Sequence, residues 1–364
     1  MEVWEKVLIA GDVFLTSVHN GTGCTSCHGG ADSVGTKDGA HQGLIVYPSA
    51  DAETYCLACH QSEVNGDKTS VHATFKGIDY MVGVRSGGAF DPEDPAYADK
   101  YQSQCIKCHT TCGQCHVSRP ASVEGGLLNN HVFQATPSSI YNCTACHGSR
   151  VGEEYLGQRE GYKADVHWNP GGKQCTFCHT GTEMHANGSS YDKRYDVAAM
   201  PRCEDCHDDV AAANDYHTQH WGELQCNVCH SQEYKNCYNC HAGVGLQEPS
   251  SLGFKIGNNP LPTSLRDYDY VVLRHIPVSP NTFDDWGLSL PQYDSLPTWK
   301  YASPHNIQLI TPQTDTTGTG DCDAACHNSD LFLRNADLRD YEINANQDVV
   351  VPDGIMTPSR TNDQ

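Results

Sequence analysis

The segment CIKCHTTCGQCH, residues 105–116, places four cysteines and two histidines in twelve positions. It reads as one five-residue unit used twice: Cys105, Cys108 and His109, then Cys112, Cys115 and His116. Thiols at this spacing can form thioethers, disulfides or metal thiolates, and an imidazole directly after them can bind a metal. The unit recurs at Cys24, Cys27 and His28; Cys56, Cys59 and His60; Cys143, Cys146 and His147; and Cys175, Cys178 and His179. It returns at Cys203, Cys206 and His207; Cys226, Cys229 and His230; and Cys237, Cys240 and His241. A tenth copy, CDAACH, is one residue longer and carries Cys322, Cys326 and His327. Together these units use all 20 cysteines of the chain.

The regularity selects among the chemistries. A disulfide framework gives no reason for a histidine after every second cysteine. Structural zinc sites join paired CxxC units at fairly regular separations, whereas these motifs begin between 7 and 85 residues apart. CxxCH is the attachment pattern of c-type haem. Two thiols three positions apart on a helical turn reach two vinyl groups on one porphyrin edge, and the next residue meets the iron as proximal ligand. The expectation is ten covalently bound haems, held proximally by His28, His60, His109, His116, His147, His179, His207, His230, His241 and His327. In CDAACH the additional residue must loop out of the turn.

The chain has 20 histidines, so ten lie outside the motifs: His19, His41, His72, His131, His167, His185, His217, His220, His275 and His305. Ten irons require ten sixth ligands, and the match of numbers assigns these as the distal set. Methionine is the usual alternative, but Met81, Met184, Met200 and Met356 stand in no repeated relation to the motifs. An iron with two protein ligands has no open position for substrate, and histidine at both positions favours a lower potential than a His/Met pair. The chain therefore reads as an electron carrier without catalytic residues rather than as an enzyme.

These ligands must be positioned by an unusual polypeptide. There are about 36 residues per haem, only 38% of residues are hydrophobic, glycine and proline total 51, and the mean hydropathy is −0.54. Such a chain has little with which to bury a core of its own. The expected fold is mostly irregular loop with short helices at the motifs and little β-structure, a multihaem cytochrome c in which the haem stack is the core. Loss of haem should then unfold it. The two motifs of the opening segment would act as a splice, because His109 and His116 are separated by about 10 Å as helix or at most about 24 Å extended.

The formal charge is −22, and about −1 more per oxidised haem with ionised propionates disfavours nucleic acid as a partner. Calcium or other divalent cations near the propionates could offset this field. No apolar stretch is long enough for a transmembrane segment, and no cysteine is left for a lipid anchor. MEVWEKVLIAGDVF is expected to be a mature start from which an export signal has been removed, because haem is attached outside the cytoplasm. The expected location is extracellular or cell-surface, with the periplasm as the alternative.

Three regions are expected. Residues 1–241 hold nine motifs. A boundary near 150–165 would divide two pentahaem halves if the paired spacings 105/112 and 226/237 reflect duplication, although chance clustering explains them better. Residues 242–321 are motif-free, with a strand expected in YDYVVLRHIPV, and are read as a segment supplying distal ligands or a docking surface. Residues 322–364 form the tenth site and a tail. The triplets NGT at 20, NCT at 142 and NGS at 187 match glycosylation sequons.

Over roughly residues 19–327, the ten motifs and ten further histidines resemble the multihaem c-type cytochromes of extracellular electron transfer, including filament-forming nanowire members and decahaem types. The resemblance implies a chain of closely spaced haems, redox partner cytochromes, delivery of electrons to an external metal oxide or other acceptor, and homopolymers in the filament members. The chain differs from the surface decahaem type in lacking room for two separate β-barrel domains. LPTWKYASPHNIQ and the CDAACH segment are similar to parts of octahaem tetrathionate reductase-like and hydroxylamine oxidoreductase-like proteins, which implies the alternative of a multihaem reductase of small nitrogen or sulfur oxyanions. A periplasmic or porin-associated shuttle is the third reading.

Overall fold

The computed structural model describes residues 12–104, 108, 110–191, 194–236, 251–317, 326–327 and 330–353. The chain divides into two compact units, both discontinuous in sequence. The first comprises residues 1–77, 100–149 and 174–200, and the second 78–99, 150–173 and 201–364. Neither coincides with 1–241, 242–321 or 322–364.

The first unit is built from single helical turns joined by loops. Cys24–His28, Cys112–His116, Thr144–His147 and Cys175–Cys178 are helical, so the motif cysteines and histidines sit on tight turns. These helices are too short to be stable alone and are fixed by side-chain bonds between turns. Asn142 is 4% exposed. Its Nδ2 donates to the Gln114 and Ser118 carbonyls at 2.8 and 2.9 Å, while its Oδ1 accepts from Gln134 Nε2 and the Ser138 backbone N–H at 3.1 and 2.9 Å. The NCT triplet is thus a structural joint, its amide buried and fully bonded. Replacing Asn142 with Ala strands several buried partners and is expected to cost about 3 kcal/mol, read as a lower unfolding midpoint of the loaded protein.

Gly113, inside the CGQCH turn, has a similar local reason. An added Cβ would stand 2.5 Å from Ser49 Oγ, and Ser49 Oγ bonds Thr111 Oγ1 at 2.8 Å. The turn at 112–116 therefore lies close against the residues that precede Cys56.

The second unit has an apolar core. Strands β1 (Tyr234–Lys235) and β2 (Leu252–Gly253) form an antiparallel pair. Strands β3 (Lys255–Asn258), β4 (Tyr270–His275) and β5 (Trp299–Tyr301) form a three-stranded antiparallel sheet in the order β3-β4-β5. β4 falls within YDYVVLRHIPV. As the central strand it is covered on both faces, which explains the unbroken apolar run Val271, Val272 and Leu273, each 0% exposed. Ile256 pairs with Val272, and these two pack with Val228, Tyr234, Phe254, Ala302, Phe332 and Val351. At about 1.5–3 kcal/mol for each fully buried large aliphatic or aromatic side chain, this cluster can hold the region without help. At Gly257 a Cβ would meet the Val349 carbonyl at 2.4 Å, so the absent side chain lets the 349–351 segment lie against β3.

A buried ion pair ties this sheet to the segment before the sixth motif. Arg274 on β4 and Glu154 meet at 2.5 Å with side chains 7% and 6% exposed. Arg274 lies over the Tyr234 ring at 5.1 Å, and Glu154 Oε2 accepts the His305 backbone N–H at 3.0 Å. Burial raises the Glu154 carboxyl above its ordinary value, and Arg274 opposes that rise. Arg274→Met keeps the volume but leaves a buried carboxylate unpaired. A loss of about 3–5 kcal/mol is expected, measured by denaturant unfolding with Glu154→Gln/Arg274→Met as the compensating double variant.

Candidate metal centres

Six pairs of imidazole rings occur among the described residues. In the first unit His19 faces His60 with ring centres 6.1 Å apart, His28 faces His131 at 5.7 Å, His72 faces His147 at 6.3 Å, and His116 faces His185 at 6.2 Å. In the second unit His167 faces His207 and His217 faces His230, both at 6.1 Å. Every pair joins one motif histidine to one non-motif histidine. Random packing of two sets of similar size would join like with like about as often.

The spacing has a chemical meaning. A metal bound to two imidazole nitrogens at about 2.0 Å, each ring centre about 1.1 Å behind its nitrogen, sets the centres about 6.2 Å apart. The six separations lie within half an ångström of that value. The pairs stand as twos: among the described residues no group of three or more His, Cys, Asp or Glu converges as a metal cage. Two protein ligands without more suit an iron whose other four positions a porphyrin supplies.

Ring nitrogens are held accordingly. Nδ1 of His28, His116 and His230 bonds the carbonyls of Ile45, Gln134 and Gln308 at 2.7, 2.8 and 3.2 Å. His179 Nδ1 meets buried Glu183 at 2.9 Å, and His167 Nδ1 meets buried Asp165 at 2.8 Å. An Nδ1–H fixed on an acceptor leaves the lone pair on Nε2, the arrangement of a metal-binding histidine with its outer-sphere partner. Burial lowers the pKa of His19, His72, His131 and His230, which favours the neutral ring that metal binding requires. His60 lowers His19 further, and His28 lowers His131 further.

The ring planes fall into two classes. His19–His60 and His116–His185 are near parallel, at 13° and 14°, whereas the other four pairs cross at 52° to 84°.

Four non-motif histidines are placed differently. His41 is exposed at the end of helix Lys37–Ala40. His220 ends helix Asp215–His220, which also carries His217. His305 Nδ1 bonds the Ser303 carbonyl at 2.8 Å. His275 is bonded through Nε2, to Glu342 Oε1 at 2.5 Å. Glu342 is held below the ordinary carboxylate value: burial, the largest influence, would raise it, but the bond and charge of His275 together with Thr298 and Arg339 outweigh burial. Of the remaining motif residues His327 is half-buried, whereas Cys105, His109, Cys237, Cys240, His241 and Cys322 lie outside the described residues.

Among the described residues no cysteine is in a disulfide, and cysteines of different motifs lie near enough to influence one another's thiols. Proximity of Cys143 and Cys175 lowers the Cys175 thiol and raises that of Cys143. Cys226 and Cys203 are paired in the same way, Cys226 raised and Cys203 lowered.

Residues that motif reasoning missed are the Nδ1 partners and the joints. Glu183 stands four residues after His179 and Asp165 two before His167, local spacings that could have been read. The carbonyls of Ile45, Gln134 and Gln308 carry no sequence signal. Compared with known proteins, the chain matches no family model, no curated protein and no solved structure.

Proposed function

We propose that the chain is a c-type cytochrome of many haems, with covalent haem at its CxxCH units and irons held between paired histidines, and that it carries electrons between partners. The observation that supports this most is the set of six motif-to-non-motif histidine pairs at 5.7–6.3 Å. A second support is the apolar surface beside the motifs: Val18 is 83% exposed next to His19, Tyr141 60% exposed before Cys143, and Phe177 54% exposed within CTFCH. Apolar side chains in those positions suit porphyrin faces.

When bound, the haems supply one-electron storage at iron. The chain's own work is to orient the ligands, exclude a third ligand and bring motifs close. That proximity does not follow sequence order. His19, paired with His60 of the second motif, sits on helix Val18–Gly21, just before the first motif helix at Cys24. The fourth motif lies against the residues before the second through Ser49 and Thr111, and against the fifth through Asn142. The fifth meets the sixth where Ser139 Oγ accepts the Cys175 backbone N–H at 2.9 Å. Among the described residues, the order one, two, four, five, six gives a continuous path through the first unit.

No described helix is long and apolar enough to cross a membrane. Extracellular location, filament formation by like subunits, redox partner cytochromes and an external oxide acceptor are part of the proposal and rest on the resemblance of motifs. The proposal as a whole is tested by intact mass and the pyridine haemochrome assay on exported protein. Ten haems per chain are expected, or nine if CDAACH is not used, and a haem-free product with disulfides would overturn it.

A further inference from the structure

Tied through Nε2, His275 contrasts with His167 and His305, which are tied through Nδ1. Its Glu342 partner is 1% exposed in its side chain and His275 itself 12%. One face of the ring is stacked on Trp299, its cross-strand neighbour, at 4.8 Å and 23°. Its backbone N–H is fixed on Asn236 Oδ1 at 2.9 Å. Glu342 is fixed in turn, because Asn346 Nδ2 donates to its carbonyl at 2.7 Å while Asn346 Oδ1 accepts the N–H groups of Thr298 and Trp299 at 3.0 Å. Arg339 Nε stands 4.0 Å from the same carboxylate.

Nε2 is the nitrogen left for metal when Nδ1 is held, and here a buried carboxylate occupies it. An iron at that position would have to displace Glu342 and strand its charge in the interior. No other histidine ring faces His275 among the described residues. Resting on the axial-pair reading above, we infer that His275 is a scaffold residue and not an iron ligand. The chain then offers at most nine distal histidines for ten motifs. With all ten motifs carrying haem, at least one iron is left open to a small σ-donor ligand such as carbon monoxide, cyanide or free imidazole.

The test uses the reduced, fully loaded protein at a dilution that keeps it monomeric. Carbon monoxide difference spectra, scaled to total haem, are expected to report binding at one or two irons in ten. His275→Gln should leave that fraction unchanged while lowering the unfolding temperature, since it removes a joint and not a ligand. Absence of carbon monoxide binding in the parent protein would overturn the inference, as would a rise of one iron per chain in His275→Gln. Should the variant fail to fold, the parent fraction decides. His217→Ala separates the two levels of the argument: it should add one carbon monoxide-binding iron per chain. No change there would sink the axial-pair reading, and this inference with it.

Discussion

Produced in a compartment without haem-attachment machinery, the chain is expected to keep the sheet region of residues 251–317 and 330–353 folded while the first unit is unfolded. The asymmetry lies in the cores. Buried apolar side chains of the first unit are few and scattered, among them Phe14, Val64, Tyr101, Tyr195 and Val197. The second unit concentrates Ile256, Val271, Val272, Leu273, Leu290, Phe332, Leu333, Val349 and Val351. Hydrophobic burial at about 25 cal/mol per Å² cannot offset chain entropy where so little apolar surface is covered. On the proposed reading the first unit would depend on its haems, as small metal-bound domains depend on their metal. Hydrogen exchange read by mass spectrometry should show protected amides in β3, β4 and β5 and near-complete exchange in residues 12–77 and 110–149. Equal protection in both units would contradict the account.

The second large effect is expected from His131→Ala. His131 faces His28 at 5.7 Å and is packed edge-on to Phe14 at 4.9 Å. Its backbone has φ 70°, a left-handed conformation that a non-glycine residue adopts only where its surroundings hold it there. Removing the imidazole takes away the proposed axial ligand together with the edge-on contact to Phe14, and only loss of the ligand changes the spin state of an iron. Resonance Raman spin-state markers should then move one haem in ten from low to high spin. The lost ligand should also raise that haem's potential relative to the others. A variant with unchanged markers would mean that the His28–His131 pairing is packing alone.

The candidate ligands were legible in the sequence because the chemistry proposed for them is local. A CxxCH turn carries its thiols and its imidazole within five residues, and the structure places described copies such as 24–28 and 112–116 on helical turns. The partnering was not legible. Paired histidines lie from 13 residues apart, His217 and His230, to 103 apart, His28 and His131. Equality of numbers says that pairs can form, not which. The same blindness concealed His275: its position on β4 could be read from the apolar run around it, but Glu342 is 67 residues away and meets it only through the tertiary fold. Composition likewise averaged two unlike units. A low apolar fraction over the whole chain suggested that haem alone would form the core, whereas the apolar residues are gathered around one sheet.

The central claim is that the paired histidines are axial ligand pairs, and low-temperature EPR of the fully oxidised protein, with spin quantified against total haem, tests it most directly. The account predicts at least six low-spin irons per chain. They should include rhombic signals from the near-parallel pairs His19–His60 and His116–His185, and the more anisotropic signals of crossed rings from the other four. A spectrum dominated by high-spin iron, or one confined to a single low-spin class, would contradict it.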